Sequence, residues 1–440
     1  MDFDDRRTWF NPLKHVPDLV LIHLSDIHFN SLQQGLRDRN KDLRNEVLKD
    51  LRRQKTHLHG YDAILVTGDI AFAGRADEFQ IAGRWLEELC EHLEIDTSNV
   101  LVTPGNHDVD RASAGCSEVL DLRSRIRAAV GEQLQSLLTT QVTEANSRLF
   151  DPIAEFNMFA RRFGCDVNPS KPFWERRFPF NDGSELCVRG MTSTWVSGEG
   201  DRMPSHLMVL GEIQCTPERQ DGVEYLTMAH HPPSWLLDQD SVNRYLNTRA
   251  RVQLYGHKHE HWIEQVNHGI RVVAGAVHPE RTESNWVPRY NVLTLTVRTE
   301  RLQRFLDVVV YPRRWSEELT CFIPDCVGDL LPVRFFTFTL DGWTPAVQSK
   351  NHQQQSSAGV RDLSAKRRIY YRLATLPFDV QVRIAESLGL LGSGGVTVES
   401  ARLEEELFAA ALETNKLEEL SATIDAYHGE LNRRAGPDGS

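Results

Sequence analysis

The sequence predicts an α/β fold with a small all-α region at its C-terminal end. Short apolar runs rich in Val, Ile and Leu recur through the first 310 residues, and segments of helical spacing lie between several of them. Beyond about residue 341 the strand rhythm stops and only helix-like patterns follow. At 440 residues the chain exceeds one average domain, so two are expected, one of them large.

The first part contains the runs Leu19–Leu24, Ala63–Val66, Val100–Val102, Tyr225–Met228, Val252–Tyr255 and Ile270–Val273. Their length and β-branched content suit buried strands. Leu43–Leu51 and Phe79–Leu93 have helical spacing, and this alternation implies an α/β core. Residues Ala112 to Phe163 are polar, nearly Gly-free and helix-favouring, so a helical insertion is expected over about 112–163. Strand patterning resumes from Leu302 to Leu340, clearest in Val308–Tyr311 and Phe335–Leu340. These elements define a first domain over 16–341.

Residues 342–361, with Gln353-Gln354-Gln355-Ser356-Ser357, read as a flexible linker. A helical domain over 362–432 is then expected from Asp362–Leu376, Asp379–Leu388, Val398–Leu412 and Leu417–His428, broken into halves by Gly392–Gly395. Leu417, Leu420, Ile424 and Tyr427 keep the spacing of one buried stripe. Arg433–Ser440 reads as a frayed tail.

Composition narrows the function classes. Hydrophobic residues make up 40% and charged residues 25%, the balance of a globular protein with a sizeable core. No apolar run approaches the roughly 18–20 residues of a membrane span, and the N-terminus lacks the apolar core of a secretory signal, so a cytoplasmic protein is expected. A net charge of −12 argues against a general nucleic-acid binder. The seven cysteines are scattered and form no Cys-x-x-Cys pair, which points to reduced thiols.

Five clusters carry chemistry: Asp26-Ile-His28, Gly68-Asp69, Gly105-Asn106-His107-Asp108, His230-His231-Pro232-Pro233 and Gly256-His257-Lys258-His259. Each follows an apolar strand, and α/β folds gather functional groups beyond the carboxyl ends of their strands. The glycines before Asp69, Asn106 and His257 are expected to let the chain turn tightly. Carboxylate, amide oxygen and imidazole form a mixed donor set suited to Mn, Fe or Zn. With one carboxylate shared, seven groups supply two metals about 3.5–4 Å apart, able to hold a bridging hydroxide and clamp a phosphoryl group. Any one cluster alone is weak, because the chain holds 17 histidines; the ordered set decides.

In this order the clusters resemble the signature of the calcineurin-like metallophosphoesterase superfamily (Asp-x-His, Gly-Asp, Gly-Asn-His-Asp/Glu, His, Gly-His-x-His), over roughly Asp18 to Leu340. The resemblance implies a four-layer α-β-β-α sandwich and two divalent metal ions, manganese being the one expected to support activity. By the same match Asp26, His28 and His259 would hold one metal, Asn106, His230 and His257 the other, and Asp69 would bridge. His230 is preferred to His231 because family ligands sit two residues before the proline. His107 corresponds to the family's catalytic histidine, suited to protonate a leaving group or stabilise the transition state. Asp108 is expected to make either a metal-ligand or a backbone contact.

The phosphoprotein phosphatases extend the second block to Gly-Asp-x-x-Asp-Arg-Gly, whereas this chain reads Gly68-Asp-Ile-Ala-Phe-Ala-Gly74, which disfavours protein dephosphorylation. Leu24-Ser-Asp-Ile-His28 and Ala229-His-His-Pro-Pro233 are similar to the cyclic-nucleotide phosphodiesterase-like branch. Hydrolysis of a nucleotide or other small phosphodiester by a metal-bridging hydroxide is therefore expected first. A DNA or RNA nuclease, acting as a recruited effector in bacterial defence, comes second. A scaffold with a vestigial site is the reading from another class. Arg75, Arg202, Trp195, Trp262, Trp286 and Tyr290 are candidate substrate contacts for which the structural role is the stronger expectation. Leu376-Pro-Phe-Asp379, Ile384–Leu390 and Asn415–Leu420 resemble helical adaptor modules of bacterial effector enzymes, which implies a protein partner for the C-terminal domain.

Overall fold

The computed structural model describes residues 16–30, 40–144, 146–201, 207–279, 287–326, 333–343, 369, 373, 376, 378–390 and 403–434. It divides the chain into two compact units, Met1–Val347 and Gln348–Ser440.

Two sheets build the first unit. The strands are β1 (Leu19–Leu24), β2 (Ala63–Thr67), β3 (Val100–Thr103), β4 (Phe173–Pro179), β5 (Glu185–Met191), β6 (Val223–Met228), β7 (Ala250–Tyr255), β8 (Trp262–Val266), β9 (Gly269–Val273), β10 (Arg289–Glu300), β11 (Gln303–Ser316), β12 (Cys321–Pro324) and β13 (Arg334–Leu340). One sheet runs β12-β11-β10-β1-β2-β3, with β13 also pairing with β11; the other runs β4-β5-β6-β7-β9-β8. Strands β1, β2 and β3 are parallel, as are β5, β6, β7 and β9, so their carboxyl ends share one edge of each sheet. Helices Lys41–Leu58 and Ala76–Leu93 supply the crossovers of the first sheet, and Gln239–Arg249 one crossover of the second. Strands β1, β2 and β3 are buried along their whole length, as the unbroken apolar runs predict. One apolar core includes residues of both sheets, among them Leu21, Ile64, Leu101, Leu226 and Leu254. This is the α-β-β-α architecture expected.

Strands β5 and β10 were not singled out as apolar runs. In β10 the apolar residues alternate with threonine and arginine, as in Leu293-Thr-Leu-Thr-Val297. In β5 the buried Arg189 interrupts the run, its charge met by Glu175 at 2.6 Å and the Gln214 carbonyl at 2.9 Å. Between β3 and β4 the chain is helical over Arg111–Ala114, Ser117–Ala128, Gly131–Thr143 and Arg148–Phe163.

A buried network ties the first helix to the first sheet. Asp50 accepts two bonds from Arg313 at 2.8 Å each and one from the Tyr290 hydroxyl at 2.5 Å. Removing the carboxylate strands a cation whose side chain is only 12% exposed. Asp50→Ala is therefore expected to destabilise the fold by about 3 kcal/mol, as for one partner of a buried pair, measurable by urea unfolding.

In the second unit, helices Phe378–Ser387, Leu403–Glu413 and Leu417–Arg434 are described. Leu420 and Ile424 are fully buried in a separate core that includes Leu376, Ile384 and Leu407, with Leu417 and Tyr427 packed at its margin. The last helix continues to Arg434, running through Gly429 past the predicted end at His428 and two residues into the predicted tail. The predicted linker after residue 343, most of the helix over 362–376 and the glycine break at 392–395 fall outside the described residues. Among the described residues no helix is long and apolar enough to cross a membrane, and all seven cysteines are free thiols.

Candidate active site

Asp26 and His28 follow β1, Asp69 follows β2, Asn106 and His107 follow β3, His230 follows β6, and His257 and His259 follow β7. The carboxyl ends of both sheets thus deliver all of them to one place. The loops are cross-laced: the amides of Ile27 and His28 donate to the Asp69 carbonyl at 2.9 and 3.0 Å, and the Gly256 amide donates to the His230 carbonyl at 2.9 Å.

Five of these residues occupy the left-handed backbone region, with φ of 53° at Asp26, 52° at His28, 51° at Asp69, 71° at His257 and 55° at His259. Each such non-glycine residue costs on the order of 1 kcal/mol, and such strain gathers where function requires a side chain to be aimed. Of the three preceding glycines only Gly68, at φ 88°, takes the turn that the sequence reading assigned to all of them. Gly105 is extended, and its role is close approach: a Cβ there would lie 2.2 Å from Asp69 Oδ1. Gly256 is likewise pressed against Ser25, whose Oγ would sit 1.9 Å from a Cβ.

The donor atoms form two half-sites. In one, His259 Nε2 lies 3.3 Å from Asp26 Oδ1, and His28 Nε2 lies 3.4 Å from Asp69 Oδ2. In the other, His257 Nδ1 lies 3.1 Å from Asn106 Oδ1, and His230 Nε2 lies 3.3 Å from the same Asp69 Oδ2. Asp69 touches both. Asp26, His28 and His259 have ligand atoms within 4.8 Å of one another, as do Asp26, Asp69 and His230. Two ligands at about 2.1 Å from one ion, set at right to tetrahedral angles, are roughly 3.0–3.4 Å apart. The spacings therefore fit cations held between these atoms.

Orientation supports the same fit. A histidine nitrogen facing a carbonyl must carry the proton. His230 Nδ1 donates to the Thr67 carbonyl at 2.7 Å and His28 Nδ1 to the His278 carbonyl at 3.2 Å, so each Nε2 is the nitrogen turned inward and offers a lone pair when the ring is neutral. Buried His230 Nε2 and Asp26 Oδ1 lie close to other site atoms without hydrogen-bonding geometry, as expected of atoms shaped for an ion. Complete burial by itself would raise the Asp26 and Asp69 carboxyls. The surrounding imidazoles outweigh it and hold both below the usual carboxylate range: His259 and His230 for Asp26, His230 and His107 for Asp69. Burial would lower His230, yet Asp69 lifts it to about 9. These buried anions are built to face positive charge.

His107 sits beside this set, its ring centroid 4.8 Å from that of His28. Its amide donates to Asp69 Oδ1 at 2.7 Å and its Nδ1 to the Phe72 carbonyl at 2.7 Å. Asp108 makes the backbone contact of its two alternatives, accepting from the amides of Gly105, Ala71 and Ile70 at 2.8, 2.7 and 3.2 Å. It fastens the loop after β3 to the loop after β2. Burial, aided by nearby Asp69, raises its carboxyl to about 7.

His231 is fully buried next to His257, with ring centroids 4.4 Å apart, and its Nδ1 meets Ser193 Oγ at 2.8 Å. Burial pushes it well below the ordinary histidine range, so it stays neutral. One of its ring nitrogens lies within 4.8 Å of ligand nitrogens of His230 and His257. Ser193 and Phe72 carry no motif and were missed; only the folded chain brings them here. Trp195 lies in the core at 2% exposure, Tyr290 serves the Asp50 network, and Arg75 pairs with Asp77 and Glu78 at the start of a helix. Trp262 lies in β8, where Lys258 rests 5.9 Å from its ring, whereas Arg202 and Trp286 fall outside the described residues.

Residues 19–261, more than half the chain and every cluster from Asp26 to His259, match the calcineurin-like phosphoesterase family. The chain belongs to this family. Beyond the 261 boundary, the calcineurin-like fold of this chain continues through β8 to β13 in the same two sheets. No curated protein matches significantly. Similar solved structures include Vacuolar Protein Sorting 29 from Cryptosporidium parvum, at 10% identity over 74% of this chain and 100% of that one, with a TM-score of 0.32. A putative 5'-nucleotidase from Staphylococcus aureus is 11% identical over 80% of this chain and 58% of that one, with a TM-score of 0.32. An archaeal phosphodiesterase is 10% identical over 73% and 100%, with a TM-score of 0.28. At such scores these likenesses add nothing to the family assignment.

Proposed function

We propose that this calcineurin-like protein is a two-metal phosphodiesterase acting on a nucleotide or another small diester. The observation that carries the reading is the pair of half-sites meeting at one oxygen of Asp69, 3.4 Å from His28 and 3.3 Å from His230. Asp26, His28 and His259 would hold one divalent ion, Asn106, His230 and His257 the other, and Asp69 would serve both. Manganese is the ion we expect to support activity. When bound, such a pair supplies Lewis-acid polarisation and charge neutralisation at the phosphoryl oxygens.

The chain's own residues supply the rest. With His107 Nδ1–H donating to the Phe72 carbonyl, the imidazolium form would pass its Nε2 proton to the departing oxygen and end as the neutral Nδ1–H ring. The Asp69–His107 amide bond keeps that ring in register with the shared carboxylate. Asp108 and the strained loops hold the groups before substrate arrives, so little reorganisation accompanies the reaction. The helical unit, with its own apolar core, we assign to protein interaction rather than catalysis.

The test is hydrolysis of bis(p-nitrophenyl) phosphate, cyclic nucleotides, phosphomonoesters and single-stranded and plasmid DNA with Mn²⁺, alongside elemental analysis. Uptake of about two metal ions per chain and turnover of small diesters is the expected result. Turnover of DNA alone would move the assignment to a nuclease. Near-zero Mn, Fe and Zn after metal-supplemented expression would make the site vestigial.

A further inference from the structure

Phe72 is the residue the proposed chemistry does not absorb. Its neighbours from Asp69 to Ala71 are buried, whereas its own side chain is 39% exposed. Leaving a phenyl ring in water forgoes the stabilisation of burying it. The ring is nevertheless held in place. The Phe72 amide donates to the Phe29 carbonyl at 3.0 Å, and its carbonyl takes the His107 Nδ1 proton at 2.7 Å. Its centroid lies 5.5 Å from that of His107 and 6.4 Å from that of His28. A second aromatic stands by the other half-site: the half-buried Trp235 is 4.2 Å from His257, centroid to centroid.

From this we infer that Phe72 is a specificity-determining residue, a platform on which the leaving arm of the ester stacks, and that the preferred substrate carries a planar ring there, a nucleoside being the biological form. Trp235 borders the retained arm. The inference rests on the two-metal phosphodiesterase reading and narrows it. One residue thus places both the proton donor, through its backbone, and the group that departs, through its ring. Stacking of a base on an aromatic face is indifferent to which base it is and is worth about ten- to a hundredfold in affinity.

The test compares wild-type protein with Phe72→Ala and Phe72→Leu, both of which keep the backbone carbonyl that seats His107. With Mn²⁺, kcat/KM is measured for a dinucleoside monophosphate, whose departing arm is a nucleoside, and for glycerophosphocholine, whose arms carry no ring. Phe72→Ala should lose about ten- to a hundredfold more on the nucleoside ester than on the glycerol ester, mainly through KM. Phe72→Leu, which preserves apolar volume, should behave the same way. An equal fall on both esters would reduce Phe72 to a support for His107 and overturn the inference, as would no change on either. Equilibrium binding of AMP and ribose 5-phosphate, in a His107→Ala background that slows turnover, provides a readout independent of catalysis. AMP should bind at least about tenfold tighter, and Phe72→Ala should erase the difference. Equal binding in the presence of Phe72 would overturn the platform while leaving the two-metal reading intact. A protein that takes up no metal and turns over no ester would overturn both.

Discussion

Asp69→Asn is expected to lower diester hydrolysis by roughly a thousandfold or more and to reduce bound metal from about two ions per chain to one or none. Asp69 is 2% exposed, and its Oδ2 lies within 3.4 Å of Nε2 of both His28 and His230. An amide in its place offers one oxygen and one N–H pair. If the oxygen faces the half-sites, the NH₂ confronts the His107 amide that now donates to Oδ1 at 2.7 Å. If it faces His107, the NH₂ points at the ions. Either way a buried negative charge is lost between the two proposed cation sites, and ions held there would supply several kcal/mol of transition-state stabilisation. At 1.36 kcal/mol per decade this amounts to about three decades of rate. Elemental analysis and bis(p-nitrophenyl) phosphate kinetics on the same preparation check it. A variant retaining both ions and full activity would remove Asp69 from the centre of the site.

His107→Ala separates proton transfer from metal binding. His107 belongs to one potential ligand group, with His28 and Asp69, so a ligand role is a real competitor to the acid role. The bond from its Nδ1 to the Phe72 carbonyl orients the ring, which suits a residue that works on substrate. The expected result is unchanged metal content with turnover slowed by about 10²–10⁴-fold, the range for a positioned acid or base. The loss should shrink for esters with good leaving groups such as p-nitrophenol, which need little protonation, and be largest for alkyl esters. Loss of metal together with activity would make His107 a ligand instead. Unchanged turnover on an alkyl ester would deny it any catalytic role.

Much of the site was legible because each donor stands immediately after a buried strand, and strand ends in parallel sheets collect along one edge. The run Leu19–Leu24 predicts β1 to the residue, and Asp26 and His28 follow directly. Other parts were hidden for physical reasons. Strand β10 alternates polar and apolar residues, and β5 buries a paired arginine, so neither presents a continuous apolar word. The choice between His230 and His231 rests on partners far away in the chain: the Thr67 carbonyl turns His230 Nε2 inward, and Ser193 engages His231 Nδ1.

By itself the sequence determined which atoms are available and on which elements they ride: seven candidate donors behind buried strands, an eighth residue, His107, suited to proton transfer, and a separate helical region with its own apolar stripe. Only the tertiary structure decided which nitrogen of each histidine faces inward, that one carboxylate oxygen serves both half-sites, and that the phenyl ring of Phe72 stands beside the proton donor. The reason is that hydrogen-bond direction, backbone strain and ring placement depend on partners up to 250 residues away, and no local pattern of residues records them.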